Sequence, residues 1–161
     1  MVSGNGASQS GADRRLHELG IRLPAAPTPF GMYVETVQTG NLLFFSGALP
    51  VVNHKPKYVG RLGKELDVEA GRDAAYTAAL SVLAAKKHLG SLDRVTRVVR
   101  LGVFIATSGD FFDQPIVADA VSDLFRDVFG AEKTGVRLVI GVASLSLGMP
   151  IELEVIFEVA E

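Results

Sequence analysis

The most informative pair of chemistry-bearing residues in this sequence is Arg137 and Glu152, each opening a run of apolar residues. Their types and spacing fit either a structural ion pair or a ligand site. If the two runs pair antiparallel across residues 146–150, their outer ends need not meet within one subunit, and either residue could face a neighbouring chain. Ser46, followed by Gly47, ends another apolar run, with no nucleophile elbow and no evident histidine base, so its first reading is structural. His17, His54 and His88 form no i, i+4 pair and no zinc-ligand spacing, so no metal is expected. His88, near the end of a helical run, suits the negative end of the helix dipole. The chain has no cysteine, which excludes disulfides, thiol nucleophiles and thiolate metal sites. The loop with glycines at 60 and 63 lacks a P-loop lysine and hydroxyl, and no GxGxxG opens a helix, so the common nucleotide cradles are absent.

The elements that must position these residues are legible in outline. Residues 32–39 (MYVETVQT) and 42–46 (LLFFS) read as two strands joined at Gly40 and Asn41, a hairpin connection. Residues 47–67 read as a long loop holding at most one short edge strand, and long ordered loops tend to be functional. Residues 68–89 are an alanine-rich helix with Ala75, Ala78, Ala79, Val82 and Ala85 on one stripe and Gly90 as its stop. Residues 95–105 (VTRVVRLGVFI) are too β-branched and too apolar on both faces for an exposed helix, and read as a central strand. Residues 115–129 form a second helix with Val117, Val121, Leu124 and Val128 on one side, ended by Gly130. Residues 137–145 and 151–159 are the remaining strands. In the last, Ile151, Leu153, Val155, Phe157 and Val159 alternate with mostly acidic neighbours, so one face is buried.

At 161 residues, 48% hydrophobic and 21% charged, the chain fits one compact domain. Residues 1–12 read as a Gly- and Ser-rich tail preceding a domain over 13–161, which opens with a short helix whose sizeable apolar residues are Leu16 and Leu19. Two helices can cover only one face of the sheet, so the class is α+β, a mixed sheet with both helices on one face. The other face would expose a large apolar patch, which implies self-association. A net charge of −2 makes nucleic acid a poor default partner. No secretory signal pattern and no apolar run of about 18 residues is present, so no membrane partner and a cytoplasmic location are expected.

The chain resembles the YjgF/RidA family of reactive-intermediate deaminases, over most of its length from about Leu19 to Val159. The resemblance is carried by Pro29-Phe30-Gly31-Met32-Tyr33 and by Thr39-Gly40-Asn41-Leu42-Leu43-Phe44-Phe45-Ser46-Gly47. It is carried further by Leu92-Asp93-Arg94-Val95 leading to Val103-Phe104-Ile105, and by Arg137 through Pro150-Ile151-Glu152. The extended N-terminus and residues 68–71 look like a longer branch of the family.

This resemblance implies a chorismate mutase-like fold assembled as a homotrimer, with sheets inside, helices outside and clefts between subunits. It implies hydrolysis of enamines and imines such as 2-aminoacrylate to 2-oxo acids and ammonia, with no cofactor. In such a site Arg137 grips a small carboxylate-bearing metabolite, Glu152 orients the attacking water, and Tyr33, Ser46 and Gly47 shape the pocket. The chain departs from the family pattern at Gly135-Val136, at Leu138 and at Asp119, which would repel a carboxylate if it lined the cleft. Three readings follow: an imine deaminase, a non-catalytic binder of small carboxylates, and a ribonuclease or translation inhibitor of the kind suggested for some relatives.

Overall fold

The computed structural model describes residues 11–161 of the chain, and the reading of residues 1–10 as a tail lies outside them. A short helix, α1 (Ala12–Glu18), opens the described part; Ala12 is already buried in it, and of its two expected apolar contacts Leu16 is buried while Leu19 is exposed. The hairpin forms from β1 (Thr36–Thr39) and β2 (Leu42–Phe45), with positive φ at Gly40, the first of its two turn residues. Its first strand is four residues shorter than the periodicity predicts, because Phe30–Tyr33 curl into a turn closed by the Tyr33 hydroxyl. The long loop holds a two-residue hairpin, β3 (Val51–Val52) and β4 (Lys55–Pro56).

The alanine-rich helix is capped by Asp67, whose side chain accepts from Ala70 N–H, and runs as α2 (Val68–Leu83). It breaks at Ala84 and Ala85 before a last turn, α3 (Lys86–Leu89). The strand β5 (Val95–Ala106) follows, then α4 (Gln114–Phe129), β6 (Val136–Val142) and β7 (Ile151–Val159). The five-stranded sheet has the order β1-β2-β7-β5-β6, antiparallel except for the parallel pair β5 and β6. β6 and β7 are therefore not neighbours; β5 runs between them, and the antiparallel pairing of residues 137–145 with 151–159 does not occur.

Both long helices lie on one face of the sheet. Ile151, Leu153, Val155, Phe157 and Val159 point into that layer and are buried, as are Leu101, Val103 and Ile105 opposite them. Phe157 meets Phe45, Phe125 and Phe129 edge to face, with ring centroids 5.1–6.0 Å apart. The helix stripes Ala75, Ala78, Ala79, Val82 and Ala85, and Val117, Val121, Leu124 and Val128, close the layer from above. Among the described residues no helix is long and apolar enough to cross a membrane.

The opposite face of the sheet is open. The alternation of β7 places Glu152, Glu154, Ile156 and Glu158 there, paired across the sheet with Phe104, Gly102, Arg100 and Arg97. The edge strand β6 adds Val136, Leu138 and Ile140, exposed to 67%, 41% and 38%. Gly135, immediately before this strand, sits against the carbonyls of Val98 and Val99, where β5 carries a bulge. Any side chain there would collide with backbone, which gives the departure at this position a local packing reason.

Candidate functional site

Glu152 and Gly47 are brought together by a backbone bridge. Ala48 N–H donates to the Leu153 carbonyl, and Leu153 N–H to the Ala48 carbonyl, both at 2.9 Å, which extends the end of β2 alongside the start of β7. Gly47 then lies directly over the Glu152 side chain. A Cβ at position 47 would occupy the space of Glu152 Oε1. Glycine is required here by the carboxylate beside it, and not by its φ, which is outside the left-handed region.

Tyr33, Ser46, Gly47 and Glu152 line one open cavity, together with Phe30 and Leu147. The Glu152 carboxyl is half-buried, and that burial pushes its pKa above the ordinary glutamate value. Among the described residues no cationic group pairs with it. The opposing pull of Arg137 on this carboxylate is thus absent within the protomer.

Ser46 has the structural role its isolation implied. Its hydroxyl donates to the Val34 carbonyl at 2.6 Å and its N–H to the Glu35 carbonyl at 2.9 Å, pinning the segment before β1. The same segment is tied from the helical side by His88, whose Nε2 lies 2.8 Å from Glu35 Oε2. His88 stands in the last turn of α3, as its reading at a helix end implied, and its ring adds a carboxylate partner distant in sequence. His54 stacks on Phe30, with ring centroids 4.1 Å apart and planes at 17°, and its Nδ1 is 3.0 Å from Thr28 Oγ1. Phe30, a cavity wall, is fixed by that stack. Among the described residues no group of three or more potential metal ligands assembles.

Arg137 is elsewhere. In register with Leu101 on β5, it points to the helix side of the sheet, whereas Glu152, in register with Phe104, points to the open side. Two strand spacings and a three-residue offset separate their Cα atoms by about 14 Å. The Arg137 Nη1 donates to Asp119 Oδ1 at 2.8 Å and to Ser122 Oγ at 3.1 Å, both on α4. Asp119, one of the departures from the family pattern, thus stands beside Arg137. The expected site residues fall into two groups at different places on one protomer: Tyr33, Ser46, Gly47 and Glu152 at the cavity, Arg137 and Asp119 at the β6 edge.

Leu147 is a site residue that the sequence reading passed over. It has φ 57° and ψ 22°, the left-handed region, and is 60% exposed at the cavity rim. A bulky residue rarely holds this conformation. The only trace in the sequence is a leucine directly before Gly148 in the short connection between two strands.

Residues 13–157 match the family model described as YjgF/chorismate mutase-like, putative endoribonuclease. The chain is 42% identical over 146 residues to Protein TCP17 of Trypanosoma cruzi, covering 89% of this chain and 91% of that protein. It is 29% identical over 135 residues to a 2-iminobutanoate/2-iminopropanoate deaminase of Dermatophagoides farinae, covering 83% and 91%. A solved structure of a protein of unknown function from Agrobacterium tumefaciens superposes with a TM-score of 0.84 at 34% identity, covering 92% of each chain.

Proposed function

The chain belongs to the YjgF/RidA family and has its α+β, chorismate mutase-like fold, and from that premise we propose that it is an imine deaminase whose sites are completed between copies of the chain. One subunit supplies Tyr33, Ser46, Gly47 and Glu152, and its neighbour in a homotrimer supplies Arg137 and Asp119. The observation that carries the reading is the Glu152 carboxyl, half-buried over Gly47 at an open cavity, with its pKa raised by burial and no cation of its own protomer to neutralise it. The bare apolar edge β6 and open sheet face support the assembly. The likeness to a 2-iminobutanoate/2-iminopropanoate deaminase supports the substrate class.

In this mechanism the partner guanidinium holds the substrate carboxylate and sets the imine carbon over the cavity. The enamine first takes a proton from solvent water at its terminal carbon and becomes the iminium. Water then adds to C2, the C=N electron pair moves to nitrogen, and Glu152 takes the proton released by the water. The resulting carbinolamine is protonated at nitrogen by Glu152. Its C–N bond breaks as Glu152, again a carboxylate, takes the hydroxyl proton and the oxygen forms the carbonyl, giving the 2-oxo acid and ammonia. A carboxyl whose pKa burial raises is a stronger proton acceptor than an ordinary glutamate, which suits both halves of this exchange.

The ion pair of Arg137 with Asp119 favours a second reading, a non-catalytic binder in which the same cleft holds a small metabolite without turning it over. Release of ammonia and 2-oxo acid from freshly generated 2-aminoacrylate, run beside an RNA degradation control, separates the readings. Turnover faster than in buffer supports the deaminase. Saturable ligand binding without turnover supports the binder, and RNA cleavage alone would replace both.

A further inference from the structure

Arg137 presents its charge together with a counter-charge. Its Nη1 is occupied by Asp119 Oδ1 and Ser122 Oγ, while Nε and Nη2 make no hydrogen bond among the described residues. Asp119 Oδ2 is likewise without a hydrogen bond there, and the two side chains are 31% and 50% exposed. An open cationic edge and an anionic oxygen thus stand side by side, the guanidinium on a small crevice walled by Val98, Leu101 and Phe125 and Asp119 paired to it from α4. A simple carboxylic acid anion entering this place is attracted by the guanidinium and repelled by Asp119. A ligand with a carboxylate and a cationic nitrogen on adjacent atoms meets the opposite charge at both ends.

We infer that Asp119 makes the Arg137 cleft selective for zwitterionic 2-amino and 2-iminio acids over carboxylates that lack the nitrogen. The inference rests on the proposed function only in taking Arg137 as the group that meets the ligand carboxylate. Asp119 lies on α4, one helical turn from Ser122, so both hold Nη1 from the same side and leave the rest of the fork facing outward. A hydrogen bond from an iminium N–H to Asp119 also favours the protonated form of the substrate, and the iminium carbon is the stronger electrophile. Asp119 is thereby a specificity-determining residue, and its negative charge is the feature that sorts ligands.

The test compares L-alanine with propionate, which differ only in the amino group, by NMR titration of the full chain. Wild type is expected to prefer alanine by roughly three- to tenfold, the range for a partly exposed charge-assisted contact. Asp119→Asn, which keeps the oxygen that Arg137 binds, should tighten propionate and erase the preference. Arg137→Ala should weaken both. Equal or tighter binding of propionate to wild type, an unchanged ratio in Asp119→Asn, or no saturable binding of either probe would overturn the inference. The preference without any 2-aminoacrylate turnover would overturn the deaminase reading alone; turnover without the preference would overturn this inference alone. Unchanged affinities in Arg137→Ala would remove the cleft from both.

Discussion

Replacing Gly47 by alanine isolates the placement of Glu152 from its chemistry. The new Cβ would stand 2.9 Å from Glu152 Cδ and 3.2 Å from Cγ, with Oε1 closer still. Comfortable carbon contacts lie at about 3.5–4.0 Å and Oε1 has the furthest to go, so the carboxyl must retreat by about 1 Å or more. The carboxyl is the free end of a flexible side chain, and Gly47 is exposed with φ outside the left-handed region, so the backbone has no reason to yield. The fold should survive while the geometry fails. A displacement of about 1 Å at a reacting group lowers rates by roughly 10²-fold, so kcat/KM for 2-aminoacrylate in Gly47→Ala should fall by about that factor with an unchanged circular dichroism spectrum. A double-mutant cycle tightens the argument: if the methyl acts only through Glu152, it should add little in a Glu152→Gln background. Wild-type turnover in Gly47→Ala, or full additivity of the two changes, would refute the reasoning.

Glu152→Gln itself should keep the shape of the cavity and lower kcat by roughly 10²- to 10⁴-fold, measured by ammonia release. Because burial raises the Glu152 pKa, the pH profile of kcat/KM should rise through a midpoint above the ordinary glutamate value, and that limb should vanish in the glutamine variant. The same shift has a sign for stability. The folded state holds the proton more tightly, so the favourable contribution is present below the unfolded glutamate pKa and is lost as pH rises through the folded one. Glu152→Gln should therefore raise the melting temperature at neutral pH and change it little in acid. Arg137→Ala should abolish binding of carboxylate ligands while the circular dichroism spectrum and melting temperature stay near wild type, since its contacts with Asp119 and Ser122 lie at the surface. Light scattering at micromolar concentration should give a mass near three subunits, and a mass near one would refute the assembly.

Where local pattern decides structure, the sequence was readable. The alternation over Ile151–Val159 matches the observed burial residue by residue, and the turn at Gly40 and Asn41 has the position its glycine demands. Helix faces followed from spacing, because an apolar stripe has only one core to meet. The readings that failed depend on partners far along the chain. Nothing in residues 84–85 marks a helix break, since alanine and the following lysines favour helix, yet the chain turns there into α3, whose His88 meets Glu35. The place of β6 was also hidden: an apolar run suits an interior strand, but here it lies at an edge beside β5. The strands of Arg137 and Glu152 looked like an antiparallel pair across a short connection only while β5 was left out of the space between them. Family resemblance suggested the candidate site residues, and the register shows that one protomer does not bring Arg137 and Glu152 together.

If copies of the chain cover one another as proposed, the bare β6 edge makes solubility of this protein a function of its own concentration. A strand with Val136, Leu138 and Ile140 on its outer face and unpaired backbone groups along its rim is a template for any extended chain it meets. At high dilution, or early in synthesis when few finished copies are present, that rim competes with folding neighbours for wrong partners. A charge introduced at Leu138 in only some copies would then act dominantly: the altered chains would fold around an intact core and fail at the shared surface. Normal copies would be left with their edges uncovered. In the proposed assembly the core within one subunit protects against heat, and protection against aggregation comes from company.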